Sequence, residues 1–213
     1  MRGLLLNNLY SMSGNIKLSF CMALILVFVP IFISDSSFLS MIMSMQLFIF
    51  ISNTGASLQI DESSKWNKFE LTLPVKRRTI INAKYVSFII LIALGILIST
   101  LTAIVFIVFK GSVDIKDLIL GYCFGLTLSI STPAFMYPFI LKMGAEKSDL
   151  IIVLSGCLSV VLMYSISILL SLFVTGISFR SPIVCITSVI VSVLLFILSY
   201  FLAVWIHRNK EYD

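Results

Sequence analysis

Charged residues are scarce in this chain of 213 amino acids. Only 12% of its residues are charged, whereas 59% are hydrophobic, and the mean hydropathy is +1.10. Soluble domains carry about 25% charged residues, spread over their surface. Here the charges are gathered between long apolar stretches, so the chain has no room for a water-exposed catalytic domain. The composition therefore indicates a membrane protein that is solvated mainly by lipid.

Residues suited to metal or nucleophilic chemistry are also few. The single histidine is His207, and the four cysteines, Cys21, Cys123, Cys157 and Cys185, show no C-x-x-C spacing. The sequence lacks H-E-x-x-H, lacks a serine with a histidine at membrane depth, and lacks the phosphate-binding pattern G-x-x-x-x-G-K-[ST]. We expect buried cysteines that act as small hydrophobes, and no catalytic site, metal site or cofactor in this chain. If ATP drives the protein, another chain binds the nucleotide.

Six apolar segments are long enough to cross a bilayer. A helix needs about 20 residues to span roughly 30 Å of hydrocarbon. The segments cover approximately residues 18–34, 38–58, 85–109, 118–141, 150–174 and 183–206. Every charged residue falls in a loop or at a span end, which argues against an ion-coupled carrier. We predict an all-α integral membrane protein in which residues 1–213 form a single transmembrane domain.

The basic residues predict the orientation, because the side richer in Lys and Arg stays in the cytoplasm. Of 15 Lys and Arg, only Lys110, Lys116 and Arg180 fall on one side. The other side holds the rest, namely Arg2, Lys17, Lys65, Lys68, Lys76, Arg77, Arg78, Lys84, Lys142, Lys147, Arg208 and Lys210. Both termini are therefore expected in the cytoplasm, in a multi-pass protein of the bacterial cell membrane.

Apolar residues recur at helical spacing before the first span. Leu5, Leu9, Met12 and Ile16 stand at i, i+4, i+7 and i+11, a pattern typical of a helix with one apolar face. Such a segment suits an amphipathic helix lying in the membrane interface. The alternative is a frayed terminus whose leucines are spaced by chance.

The second span is unusually polar for a lipid environment. Gln46, Asn53 and Ser57 share one helical face at i, i+7 and i+11. This face could line a translocation path or a dimer interface. Hydrogen bonds between helices of one subunit are an equally good explanation.

Small residues recur at four-residue spacing in three other spans and let helix backbones approach closely. They are Gly95, Ser99 and Ala103, then Gly121, Gly125 and Ser129, then Ser188 and Ser192.

The loop at 59–84 is the longest connection, and it predicts a short helix at about 63–73. Ser63 or Ser64 can cap its start, and Pro74 ends it. One face of this helix is expected to carry Trp66, Phe69, Glu70 and Leu73, and another face Lys65 and Lys68. The segment is either a docking element, or a topology signal whose Trp anchors at the interface and whose basic residues touch anionic lipid.

The same loop carries a pattern of eleven residues that resembles a known family. They are Asp61, Trp66, Phe69, Leu73, Pro74, Val75, Arg77, Ile80, Ile81, Lys84 and Tyr85. A second similar stretch has Pro138, Lys142, Gly144, Glu146 and Lys147, with Leu141 where the family has an aromatic residue. On these residues the chain resembles the ABC type-2 permeases, in the small six-helix form of Gram-positive bacteria. Within that family it looks most similar to staphylococcal exporters of phenol-soluble modulins, which are amphipathic peptide toxins.

The resemblance implies the permease subunit of an ATP-binding-cassette exporter, with a coupling helix that docks on a cytosolic ATPase subunit. The residues expected to couple to the ATPase are Lys65, Trp66, Asn67, Lys68, Phe69, Glu70, Leu73, Pro74 and Arg77. ATP and Mg would be bound by a dimer of that ATPase. The other partners implied are a second permease copy, identical or related, an amphipathic peptide and membrane lipid, with no nucleic acid.

Other functions remain open from the sequence. The chain could be a membrane protein that binds peptide, or confers immunity, without pumping. It could also belong to an exporter of drugs or lipid-like molecules. A hidden intramembrane enzyme would have to depend on His207, which we expect to be an interface residue only.

Overall fold

The computed structural model describes residues 2–32, 35–72, 76–111, 113–144, 147–173 and 179–209. Every secondary-structure element in these ranges is an α-helix. The helices are α1 Arg2–Ser11, α2 Ser13–Phe32, α3 Ser36–Ser63, α4 Trp66–Thr72, α5 Arg77–Lys110, α6 Ile115–Met143, α7 Ser148–Phe173 and α8 Pro182–Asn209. All but α1 and α4 are long and apolar enough to cross a membrane. The prediction of an all-α protein with six spans is confirmed.

The spans begin and end farther out than the apolar stretches alone predict. The loop expected at 59–84 is mostly helical, since α3 continues to Ser63 and α5 begins at Arg77. A backbone that leaves a bilayer keeps its hydrogen bonds by remaining helical, so hydropathy underestimates helix length. The predicted short helix exists as α4.

The serine cap predicted for this short helix is wrong. Ser64 is the C-cap of α3, and the hydroxyls of Ser63 and Ser64 both donate back to the Ile60 carbonyl, at 3.0 and 2.7 Å. Serine side chains compete for carbonyls three or four residues earlier, and that bond is made here. Lys65, with φ of 54°, then reverses the chain into α4.

The central helix is α3, the most buried of the spans, which contacts α2, α5, α6 and α7. Glycines allow this close approach, as the small-residue spacing predicts. A Cβ at Gly121 would lie 2.9 Å from Ser40 Cα, and one at Gly125 would lie 2.9 Å from Ser44 Cα. Gly95 of α5 also approaches the α3 backbone, where an added Cβ would lie 3.1 Å from Leu47 Cα. The α3 backbone therefore packs closely against both α5 and α6.

The basic ends of the helices meet at one end of the bundle, called the basic end below. The end of α3 contacts the start of α5 through Asp61 and Lys84, and Arg77 reaches the end of α8. A cluster of rings packs there across α5, α6 and α8. Its members are Tyr85, Phe88, Tyr137, Phe196 and Tyr200, with Tyr85 centred 5.0–5.6 Å from each of the others.

The N-terminal helix forms, and its buried face matches the predicted one only in part. Met12 is buried as the spacing predicts, and Leu5 and Leu9 are half-buried. Leu4 and Asn8, which the spacing leaves out, are also buried. The helix packs on α5 and α3, so its inner face is set by those partners and includes the polar Asn8. Apolar spacing alone could not find a face that contains an asparagine.

The expectation of buried cysteines is wrong for two of the four. Cys185 is buried and Cys123 is half-buried, but Cys21 and Cys157 are exposed on the outer surface of the spans. A thiol is apolar enough to face lipid, so burial in protein is not required of it.

The glycine contacts generate a stability prediction. Gly121→Ala should lower the free energy of unfolding by about 1–3 kcal/mol, because the new methyl group meets the α3 backbone and not a movable side chain. The measurement is the thermal midpoint of the purified protein in detergent. The matched control is Gly14→Ala, where a Cβ meets nothing within 4 Å, so the midpoint should stay or rise. Equal midpoints for the two variants would contradict the close packing of α3 on α6.

Candidate functional site

The candidate site is α4 together with the helix ends that hold it. In the sequence, the seven-residue helix lies between α3, which ends at Ser63, and α5, which begins at Arg77. A helix this short has little stability of its own in water. Its position must therefore come from contacts with the rest of the protein.

A buried ion pair joins the two helices that flank α4. The Lys84 ammonium of α5 donates to Asp61 Oδ2 of α3, and the two side chains are 4% and 2% exposed. A buried charge is tolerated only when it is paired, because desolvation of an ion costs several kcal/mol. The pair therefore fixes the ends of α3 and α5 to each other.

Glu70 brings α4 into the same charged cluster. Its carboxyl is 4% exposed and accepts a hydrogen bond from Trp66 Nε1 at 2.6 Å. Burial raises the pKa of Glu70 above its ordinary value of 4.5, while the Lys84 charge and the Trp66 hydrogen bond act in the lowering direction. The Asp61 charge adds to the increase. Glu70 thus lies near enough to the Asp61–Lys84 pair for both charges to act on its pKa.

Trp66 attaches α4 to the N-terminal helix. Its side chain is half-buried and packs on a cluster of Leu4, Ile80 and Ala83, from α1 and α5. The Trp66 and Phe69 rings lie 5.2 Å apart, centre to centre. The indole therefore packs on α1 and α5 through this cluster, and on the Phe69 ring of its own helix.

Phe69 is 53% exposed. The sequence predicts Trp66, Phe69 and Glu70 on one shared face, and the contacts agree with it, since Trp66 meets the Phe69 ring and donates to Glu70. The three differ in exposure, because Glu70 is buried, Trp66 is half-buried, and Phe69 keeps more than half of its surface exposed. Periodicity places them on one face but does not show which of them packs inward.

Arg77 and Arg78 tie the start of α5 to α8. Arg77 Nη1 donates to the carbonyls of His207 and Arg208 at 3.2 and 3.1 Å, so it caps the C-terminus of α8. Arg78 Nε donates to Tyr200 Oη at 3.0 Å, and Tyr200 donates to Asn82 Oδ1 at 2.7 Å. These bonds connect the segment after α4 to α8. His207 is buried near the end of α8.

Several residues expected at this site lie outside the described part of the chain. These are Leu73 and Pro74, together with the side chains of Asn67 and Lys68. Lys65 is described and exposed, at the turn into α4.

The polar residues of α3 make hydrogen bonds inside the subunit, which is the second of the two explanations that the sequence allows. Gln46 bonds the Ala23 carbonyl and accepts from Thr102 Oγ1 at 2.9 Å. Asn53 Nδ2 donates to Ser19 Oγ at 2.9 Å, and Ser57 Oγ lies 3.1 Å from Ser11 Oγ. All three are buried. They hold α1, α2 and α5 against α3 in this structure.

The sequence does not predict the ion pair, because Asp61 and Lys84 stand just beyond the apolar stretches and are placed in the loop. The signal for it is their opposite charge near the two ends of the eleven-residue pattern. Arg77 contacts α8 and is exposed, so its expected contact with the ATPase stays a prediction.

Comparison with known proteins gives one match. A family model described as ABC-2 family transporter protein matches residues 3–207. No curated protein and no solved structure matches the chain.

The charged cluster generates a prediction about stability. Lys84→Met should destabilise the protein by about 3–5 kcal/mol, because it leaves the Asp61 carboxylate buried without its cation. The double variant Asp61→Asn with Lys84→Met should recover part of that loss, since fewer charges remain buried. Thermal midpoints in detergent measure both effects. Lys76→Met, at an exposed lysine of the same connection, is the control and should change stability little. The losses of stability are also measured for Lys84→Met and Asp61→Asn separately. If the loss in the double variant equals the sum of these two losses, the two residues are not paired.

Proposed function

Since this chain belongs to the ABC-2 transporter family, we propose that it is the permease subunit of an exporter and that α4 is the element through which a separate ATPase subunit drives it. The chain is a multi-pass protein of the plasma membrane. In the proposed assembly two permease chains, identical or related, stand on two cytosolic ATPase subunits. ATP and Mg are bound and ATP is hydrolysed in those subunits. The basic end of the bundle faces the cytoplasm, as the distribution of Lys and Arg predicts.

The observation that supports α4 most strongly is the contrast between Phe69 and its neighbours. Phe69 is exposed on a helix that is otherwise tied inward by Trp66 and Glu70. An exposed aromatic ring on a rigid support is typical of the residues that dominate a protein interface. We assign Phe69 as the apolar anchor in a groove of the ATPase, with the exposed Lys65 beside it. Trp66 and Glu70 then position the anchor and do not contact the partner.

The buried contacts give α4 two routes into the membrane. Through Glu70 and the Asp61–Lys84 pair, a displacement of α4 would be transmitted to the ends of α3 and α5. Through Arg77 and Arg78, the same displacement would be transmitted to the end of α8. Packed helices shift as rigid bodies rather than bending continuously. Closure of the ATPase subunits would therefore tilt these spans together.

For the cargo, we propose amphipathic peptides of the phenol-soluble modulin kind. The support is the resemblance of the sequence, within its family, to staphylococcal exporters of such peptides. Amphipathic helices partition to membrane interfaces, so a pump for them can collect cargo at the inner leaflet or from the cytoplasm.

The experiment removes the exposed ring. Phe69→Ala should weaken co-purification with the ATPase subunit by about 30-fold, the loss typical of a dominant interface residue. Export of an amphipathic helical peptide by reconstituted vesicles should fall with it, while membrane insertion and the thermal midpoint stay near those of the parent. The matched control is Phe32→Ala, since Phe32 is 85% exposed and is the C-terminal residue of α2, away from α4 in the sequence.

The outcomes separate the two parts of the proposal. Unchanged ATPase binding by Phe69→Ala would exclude α4 as the docking element. Intact assembly and ATP hydrolysis without transport of any amphipathic peptide would overturn the cargo, and would leave the permease assignment standing.

A further inference from the structure

An apolar groove runs between α6 and α8 at the basic end of the bundle. Its lower part has a volume of about 680 Å³ and is lined by residues from Ala134 to Lys142 of α6 and from Leu202 to Ile206 of α8. A second space of about 490 Å³ shares four of these lining residues and continues along α8 to Leu195. The two spaces therefore form one elongated groove. Neither takes part in the contacts that hold α4.

The length of the groove matches one leaflet of a bilayer. From Trp205 to Leu195 the groove follows ten residues of α8, which is about 15 Å at 1.5 Å per residue. The hydrocarbon core of a membrane is about 30 Å thick, so one leaflet is about half of that. The groove begins near the basic end of the helices and stops close to the middle of the span.

A single cation stands at the mouth of this groove. Lys142 lies in the last turn of α6 with its side chain exposed. Among the residues that the structure describes, no carboxylate pairs with its ammonium. The other polar side-chain groups in the lining are the Trp205 indole N–H and the Ser199 hydroxyl, and the hydroxyl is already bonded to Tyr85 Oη at 2.7 Å. The rest of the lining is aliphatic or aromatic.

We propose that this groove is a binding site for one anionic phospholipid of the leaflet at the basic end. An acyl chain fills the apolar part, and the phosphate pairs with Lys142. Basic pockets between transmembrane helices are known to select anionic headgroups. A phospholipid supplies both the apolar chain and the anion in one molecule. A helix of the cargo or of a second copy would fill the apolar part but would need its own acid to meet the ammonium.

The site also has a structural consequence for the permease. It joins the end of α6 to the end of α8, the helix whose terminal carbonyls are held by Arg77. A bound lipid would therefore restrain the same end of α8 that receives movement from the segment after α4. This consequence rests on the proposed function, whereas the lipid site itself does not.

The test uses brominated acyl chains, which quench an indole in contact with them. The full-length protein is reconstituted into phosphatidylcholine vesicles that contain one-tenth of either brominated phosphatidylglycerol or brominated phosphatidylcholine. The contribution of Trp205 is obtained as the difference between the parent and Trp205→Phe, because the chain has one other tryptophan. We expect the anionic lipid to be enriched at Trp205 by about fivefold over the neutral one, the ratio that about 1 kcal/mol per basic side chain gives.

Variants assign the selectivity to the cation. Lys142→Gln should remove the difference between the two lipids, whereas Lys147→Gln, at an exposed lysine outside the groove, should preserve it. Equal quenching by the two lipids in the parent would overturn the proposal. Absence of quenching by both would also overturn it, and would show that protein covers the groove, either a second copy or cargo.

Discussion

The ion pair between Asp61 and Lys84 is the interaction on which the rest of this structure depends. Two unpaired charges could not remain buried where α3 and α5 leave the membrane, so each residue requires the other at that place. Once they are paired, the ends of the two helices are fixed to each other, and α4 lies in the connection between them. The buried Glu70 places the inner side of α4 near this pair.

From that point the contacts spread to the other spans. The backbone of α3 packs closely against glycines of α5 and α6, so a displacement of α3 cannot be absorbed by rearranging side chains between these helices. The end of α8 is held by Arg77, and the ring cluster around Tyr85 links α5, α6 and α8. A small exposed helix is thus connected to the helices that would move during transport. The polar residues of α3 serve the same packing, since a hydrogen bond between helices removes a polar group from lipid.

Much of the fold could be predicted from the sequence because lipid imposes simple rules. Apolar length gave six spans, and small residues at four-residue spacing gave the close contacts of Gly95, Gly121 and Gly125. The site was harder to predict. The inward turn of Glu70 depends on a cation 14 residues away on another helix, and the buried face of α1 contains Asn8. Both features are set by tertiary contacts, which periodicity along one helix does not contain.

Hydrogen exchange of α4 in the parent and in Lys84→Met is the most direct test of the central claim, that the buried charges hold α4 to α3 and α5. Backbone amides of 66–72 and of the first turns of α5 should exchange faster in the variant, while exchange in the other half of α5 is unchanged. The reason is that only the basic end of the bundle loses the ion pair. If the amides of α4 exchange at the same rate in both proteins, the charged cluster does not position α4, and a displacement of α4 is not transmitted to α3 and α5 through it.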